Sequence, residues 1–192
     1  IQTKVMEGAN FENFVLSYSS SFFKSEIECE LKNNHSSGFI NGAIYANDNQ
    51  HHEIKTNINH IGETTKSYQK IKSVLNKNSK AVFQGKIHVD QKAQKTNGYQ
   101  LSKAILLDDE SEFDSKPELE IYADDVKCSH GSTSGSLDEN SIFYLMSRGL
   151  SEPEAKKLLI KGFLADTIET ITNEDIKKYY LNKLEQKLNE YR

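Results

Sequence analysis

The chain has 192 residues, a formal net charge of −4, 27% charged and 36% hydrophobic residues, and no tryptophan. That length suits one large domain or a domain with an appendage, and the charges are interspersed, without the basic stripe that phosphate neutralisation needs, so nucleic acid is not an expected partner. No apolar run approaches the roughly 18 residues needed to cross a bilayer, and the opening IQTKVMEGANFEN lacks the layout of a signal peptide, so no membrane partner is expected.

Cys29 and Cys128 are the two cysteines. Thiols so far apart do not make a disulfide framework, which points to a reducing cytoplasm. The start at Ile1, without methionine, reads as a fragment whose upstream part is missing.

From about Phe11 to Cys128 apolar and polar residues alternate, the period of half-buried strands. In KAVFQGKIHVD (80–90) Ala81, Phe83, Gly85, Ile87 and Val89 share one side, with Lys80, Gln84, Lys86, His88 and Asp90 on the other. FENFVLSYS, FFKSEIECEL, SGFINGAIYA, HHEIKTNINH, TTKSYQKIKSVL, YQLSKAILLD and ELEIYADDVKC behave alike, most starting about 14 or 15 residues after the run before. The connections NNHSSG, ANDNQ, NKNS and QKTNG have the Asn, Ser, Gly and Lys content of tight turns. An antiparallel sandwich and a β-solenoid with strands stacked about 4.8 Å apart both accept this pattern. Hairpin dipeptides are scarce, Asn97-Gly98 and Asn41-Gly42, and two strands per roughly 29 residues fit a solenoid better. A solenoid exposes unpaired backbone at its ends, so a dimer is expected.

Along this body His51, His52, His60 and His88 read as exposed strand or turn residues rather than ligands, and Cys29 as a packed or edge thiol. Asp108–Asp114, DDESEFD, lacks the spacing of a calcium loop and reads as a solvated loop. Glu118–Thr133, ELEIYADDVKCSHGST, is the most informative stretch: Cys128 and His130 stand two residues apart where an acidic strand runs into a small-residue turn. In an extended segment they project from one side, about 6.6 Å apart, within reach of one soft or borderline metal ion. Two ligands do not close a tetrahedral site, so the rest must come from elsewhere, another chain included. The same spacing also suits a small packed thiol and a hydrogen-bonded ring. Asp124 and Asp125 beside Lys127 suggest a different chemistry, that of a polysaccharide lyase-like, carbohydrate-active β-helix enzyme. Adjacent strand residues point to opposite sides, however, which suits joint acid–base work poorly. No phosphate-binding loop of the Walker type occurs, so ATP hydrolysis would belong to a partner.

After Gly135 the period becomes helical. Ser136-Leu-Asp-Glu139 reads as a capping box opening a helix that runs to about Arg148, with Gly149 as its left-handed stop. Ser151-Glu-Pro-Glu154 repeats the device, with Pro153 in the first turn and Ala155, Leu158, Leu159, Gly162 and Phe163 as the apolar face. A third helix opens near Thr172 or Asn173 and carries Ile176, Tyr179, Tyr180, Leu184 and Leu188. Three such helices cannot bury every face on one another, which leaves apolar surface for the β body or a partner.

The runs AVFQGKIHVDQKAQKTNGYQLSKAILL (81–107) and PELEIYADDVKCSHGSTSGSLDENSIFYLMSRGLSEPEA (117–155) resemble the SufB/SufD family of iron–sulfur cluster assembly proteins. Cys128-Ser129-His130-Gly131, followed by Thr133 and Gly135, is similar to the SufD side; SufB-like sequences tend to carry Glu-His-Glu-Ala there. Ser132 stands where the family usually has Ala, and the helical N-terminal region of full-length SufD is absent. The resemblance implies a mainly β protein: a right-handed parallel β-helix, whose C-terminal part would be residues 1–135, followed by a small C-terminal α-helical domain, 136–192. It implies a non-catalytic scaffold subunit pairing with a SufB-like subunit through the β-helix and with a SufC-like ATPase through 136–192, or with itself in isolation. It also implies metal-site roles for His130 and Cys128. No cofactor is expected on this chain alone; iron or a nascent iron–sulfur cluster would be held at the SufB interface. A structural or adhesive solenoid is the third expectation, one without metal dependence or an ATPase partner.

Overall fold

Every strand pairing is parallel. A computed structural model describes residues 1–189. In chain order the strands are β1 (Gln2–Val5), β2 (Asn10–Tyr18), β3 (Phe22–Leu31), β4 (Ser37–Ala46), β5 (His51–His60), β6 (Lys66–Leu75), β7 (Lys80–Val89), β8 (Thr96–Leu106), β9 (Glu112–Ile121) and β10 (Val126–Gly135). Odd-numbered strands form one five-stranded sheet and even-numbered strands another, in the order β10-β8-β6-β4-β2. The chain alternates between the sheets, so each pair of strands makes one coil of a solenoid. Phe22 lies against His51 and His51 against Lys80, one coil every 29 residues. The sandwich alternative is thereby excluded.

The turns stack as regularly as the strands. His35, Thr64 and Lys95 all take left-handed φ, near 60°. Their amides donate to Glu63, Gln94 and Asp125 of the next coil. On the opposite side Asn76 Nδ2 donates to Asn47 Oδ1 at 2.9 Å and Asn78 Nδ2 to Asn49 Oδ1 at 2.8 Å. The Asn-rich connections are therefore ladders between coils rather than hairpin turns, and Asn41-Gly42 and Asn97-Gly98 lie inside β4 and β8. Ile27, Leu31, Ile40, Ile54, Ile58, Ile71, Phe83 and Ile87 fill the interior, each fully buried aliphatic side chain contributing about 1.5–3 kcal/mol relative to exposure.

Several expectations change here. β1 had no sequence signal of its own. The run ELEIYADDVKC is broken at Tyr122–Asp125, where the chain crosses from one sheet to the other, so Asp124 and Asp125 sit in a turn. The acidic run DDESEFD is only half loop: Glu112–Asp114 belong to β9, where Lys80 pairs with Glu112 at 2.9 Å and Asp114 at 2.7 Å.

Three helices follow: α1 (Glu139–Ser147), α2 (Glu152–Ile168) and α3 (Glu174–Asn189). Asp138, not Ser136, caps α1, its carboxylate accepting from the Ser141 amide at 2.9 Å. Gly149 does supply the left-handed stop, at φ 97°. Glu154 reaches back to the Ser151 amide at 2.8 Å, as the capping box requires. Asn173 Oδ1 accepts from the amides of Asp175 and Ile176, opening α3.

The buried face of α2 is Ala155, Ile160, Leu164, Thr167 and Ile168, while Leu158 and Gly162 are exposed, so the expected stripe was rotated from the true one. On α3, Leu184 and Leu188 are buried, but Ile176 and Tyr179 stay exposed. Both helices pack on the outer face of the even-numbered sheet, where Ile160, Leu164, Ile168, Leu184 and Leu188 share a core with Ala43, Tyr45 and Val74. Asp166 of α2 meets Lys70 at 2.6 Å and Lys72 at 2.5 Å on β6. α1 buries none of its residues. Among the described residues no helix is long and apolar enough to cross a membrane.

Candidate functional site

The Cys-Ser-His-Gly segment lies within β10 rather than at a turn. β10 is the terminal strand of its sheet, paired with β8 on one side and open on the other. Its register sets Cys128 against Gly98 and His130 against Gln100. Gly98 and Gln100 belong to the inward row of β8, so Cys128 and His130 continue the interior rows of the solenoid into the last coil. Nothing stacks on that coil among the described residues. His130, on an interior row, is therefore exposed.

The end face is continued by β9, the terminal strand of the other sheet, where Ile121 and the following Tyr122 are 37% and 61% exposed. The row that Ile121 ends, buried in earlier coils at Leu31, His60 and Val89, is thus presented to solvent here.

Cys128 is set deeper than His130. Its Sγ packs over Gly98, where an added Cβ would approach it to 3.3 Å, and it joins Ile87, Val89, Ala93 and Ala123. Burial pushes its thiol pKa up, opposed by a backbone hydrogen bond from Gly98. The resting thiol is accordingly protonated, and metal binding would have to displace that proton. Among the described residues no cluster of three or more His, Cys, Asp or Glu side chains could hold a metal ion. Cys128 and His130 stand two positions apart on β10, and no third such side chain is grouped with them among the described residues.

The other sequence candidates resolve differently. His52 and His60, expected on the surface, are fully buried. The ring of His60 is held by Thr65 at 2.7 Å and Ser67 at 2.8 Å, and burial lowers its pKa to about 4. His52 contacts Ser17 Oγ at 2.8 Å and the Ser20 carbonyl at 2.9 Å, and burial lowers its pKa too. His51 and His88 are half-buried on the outer face of the odd-numbered sheet, beside Glu53 and Glu120. Cys29 is fully buried, its thiol pushed to about 11 by burial and then by Glu30.

The solenoid wall carries a groove of about 360 Å³, lined by Glu26, Glu28, Lys55, Lys86, Lys116 and Glu118, and Asp124 and Asp125 do not line it. Lys24 pairs with Glu26 at 3.1 Å and Lys116 with Glu118 at 2.7 Å, and those contacts lower both carboxyl pKa values. A general acid needs the opposite shift, so neither Glu26 nor Glu118 is tuned for that role in glycosidic chemistry.

Comparison with known proteins bears on the whole arrangement. The family described as SUF system FeS cluster assembly, SufBD core domain, matches residues 1–163. The chain is 37% identical over 159 residues to the iron–sulfur cluster assembly protein SufD of Escherichia coli, covering 83% of this chain and 38% of that protein. It is 32% identical over 139 residues to SufD of Bacillus subtilis, covering 72% and 32%, and 43% identical over 100 residues to a SufBD family protein of Synechocystis, covering 52% and 22%. The chain thus spans well under half the length of these relatives.

Proposed function

The chain belongs to the SufB/SufD family of iron–sulfur cluster assembly proteins, and on that premise we propose that it acts as a SufD-like, non-catalytic scaffold subunit. In this reading the open end of the solenoid meets a SufB-like subunit. His130, with Cys128 behind it, contributes to handling iron or a nascent cluster at that seam.

One observation carries the reading: the interior row that ends at His130 is uncovered, on an edge strand with an unpaired side. An open ten-residue edge is a template for another chain, and an apolar end face loses free energy by staying in water. A partner that covers it also supplies the ligands this chain lacks. Imidazole nitrogen and thiolate sulfur suit iron and its clusters, held here as cargo. Thiolate formation at Cys128 would release a proton, so binding should weaken in acid.

The helices are the handle for a SufC-like ATPase in this reading. α1 is the strongest candidate face, with Phe143 74% exposed and a groove of about 500 Å³ between α1 and the end of β8. The measurement is whether the ATPase stays in the purified complex when that face is altered.

The test of the seam is His130→Ala in the complete complex. Cluster formation should fall at least tenfold while the subunits still co-purify, because the exposed ring makes no hydrogen bond or ion pair among the described residues. Normal cluster yield from that variant would end the proposal.

A further inference from the structure

A second concavity, unrelated to the end face, lies where α3 begins against the first coil. It measures about 270 Å³ and is lined by Glu12, Phe14 and Asn41 from the sheet and Ile176 and Tyr180 from α3, among others. We propose that it receives the ammonium or guanidinium head of a lysine or arginine presented by a protein partner.

Asn41 is 6% exposed, and its Oδ1 has no donor among the described residues. A buried amide oxygen left unpaired costs about 1–3 kcal/mol, which a donor in the pocket would recover once the Asn41 amide turns that oxygen toward it. The Glu12 carboxylate supplies the charge. Its protein partner is the Thr172 hydroxyl, donating at 2.9 and 3.1 Å to its two oxygens, which leaves acceptor capacity on both. Phe14 and Tyr180, with ring centroids 4.8 Å apart, form an aromatic wall suited to an alkyl stem and a cation.

The lining favours an organic cation over a metal. Calcium seeks six to eight oxygens, whereas here one carboxylate and one amide oxygen stand beside aromatic rings. It favours a side chain over a free amino acid because no Lys, Arg or His lines the pocket to neutralise a free carboxylate. Exposed Ile176 and Tyr179 give the rim an apolar surface that a protein partner would cover.

The test is titration of the whole chain with arginine capped as its N-acetyl, N-methylamide derivative, followed by chemical shifts of Phe14, Asn41 and Tyr180. Saturation is expected in the millimolar range, at least tenfold weaker for capped citrulline, and at least tenfold weaker again for Glu12→Gln. Glu12 is exposed, so that variant should fold; Glu26→Gln on the far sheet should bind as the parent does. The inference is overturned if capped citrulline matches capped arginine, if Glu12→Gln changes nothing, or if calcium shifts these resonances and capped arginine does not. None of these outcomes bears on cluster assembly at the end face.

Discussion

At the scale of single residues, His60 is a group whose titration the fold strongly controls. It is fully buried between two hydroxyls, and burial brings its pKa down from the ordinary 6.5 to about 4. The unfolded chain therefore takes up a proton between those values that the folded chain refuses. The neutral ring's contribution is complete above about pH 6.5 and is lost as the pH falls toward 4, as much as ~3 kcal/mol. Urea unfolding at pH 7.5 and pH 5 should show about 2 kcal/mol of that loss in the parent and a much smaller one in His60→Gln; equal losses would disprove the assignment. His52 acts in the same direction. Both histidines were misjudged as exposed because alternation along β5 marks which residues share a side. It does not reveal that hydroxyls at Thr65, Ser67 and Ser17 make that side habitable for an imidazole. That Cys128 and His130 share a face was legible from spacing, since an i, i+2 pair on a strand does so whatever the fold.

At the scale of elements, parallel register turns small local facts into interactions between coils. Gly85 on β7 shows this: a Cβ there would lie 2.3 Å from Gln100 Oε1 and 2.6 Å from the Phe83 ring. Gly85→Ala should cost about 1–3 kcal/mol through overpacking, read as a lower denaturation midpoint with an unchanged slope. An unaltered midpoint would mean that Gln100 moves aside freely. The strand runs were readable because their side-chain period is two. The boundary between β9 and β10 was missed because Tyr122–Asp125 contains neither glycine nor proline, and its acidic residues carried the alternation across the turn. The face of α2 was misjudged because apolar residues surround much of that helix. The choice fell to the set that could reach Ala43, Tyr45 and Val74.

At the scale of the whole molecule, the helices and the solenoid share one core, and this decides how the tail can be tested. Removing everything after Gly135 would strip Ile160, Leu164, Ile168, Leu184 and Leu188 from the outer sheet and expose apolar surface. Loss of a partner in that truncation would therefore report unfolding as readily as docking. Phe143→Asp is the cleaner change, since α1 contributes no buried residue. It should reduce recovery of a SufC-like ATPase with the complex by tenfold or more and leave thermal unfolding within about 0.5 kcal/mol of the parent. Undiminished recovery would remove α1 from the docking surface.

The sequence by itself determined the period of the strands, the coil length, the helix-opening Ser151, the opening of the third helix at Thr172 or Asn173, the stop at Gly149 and the shared face of Cys128 and His130. All of these follow from backbone geometry within a few residues. Only the tertiary structure decided that Cys128 is tucked in while His130 stands open, that two histidines are sealed inside, and which helix faces are covered. Those outcomes depend on which coils stack above and below a residue, and that is set by contacts about 30 positions away, beyond the reach of any local pattern.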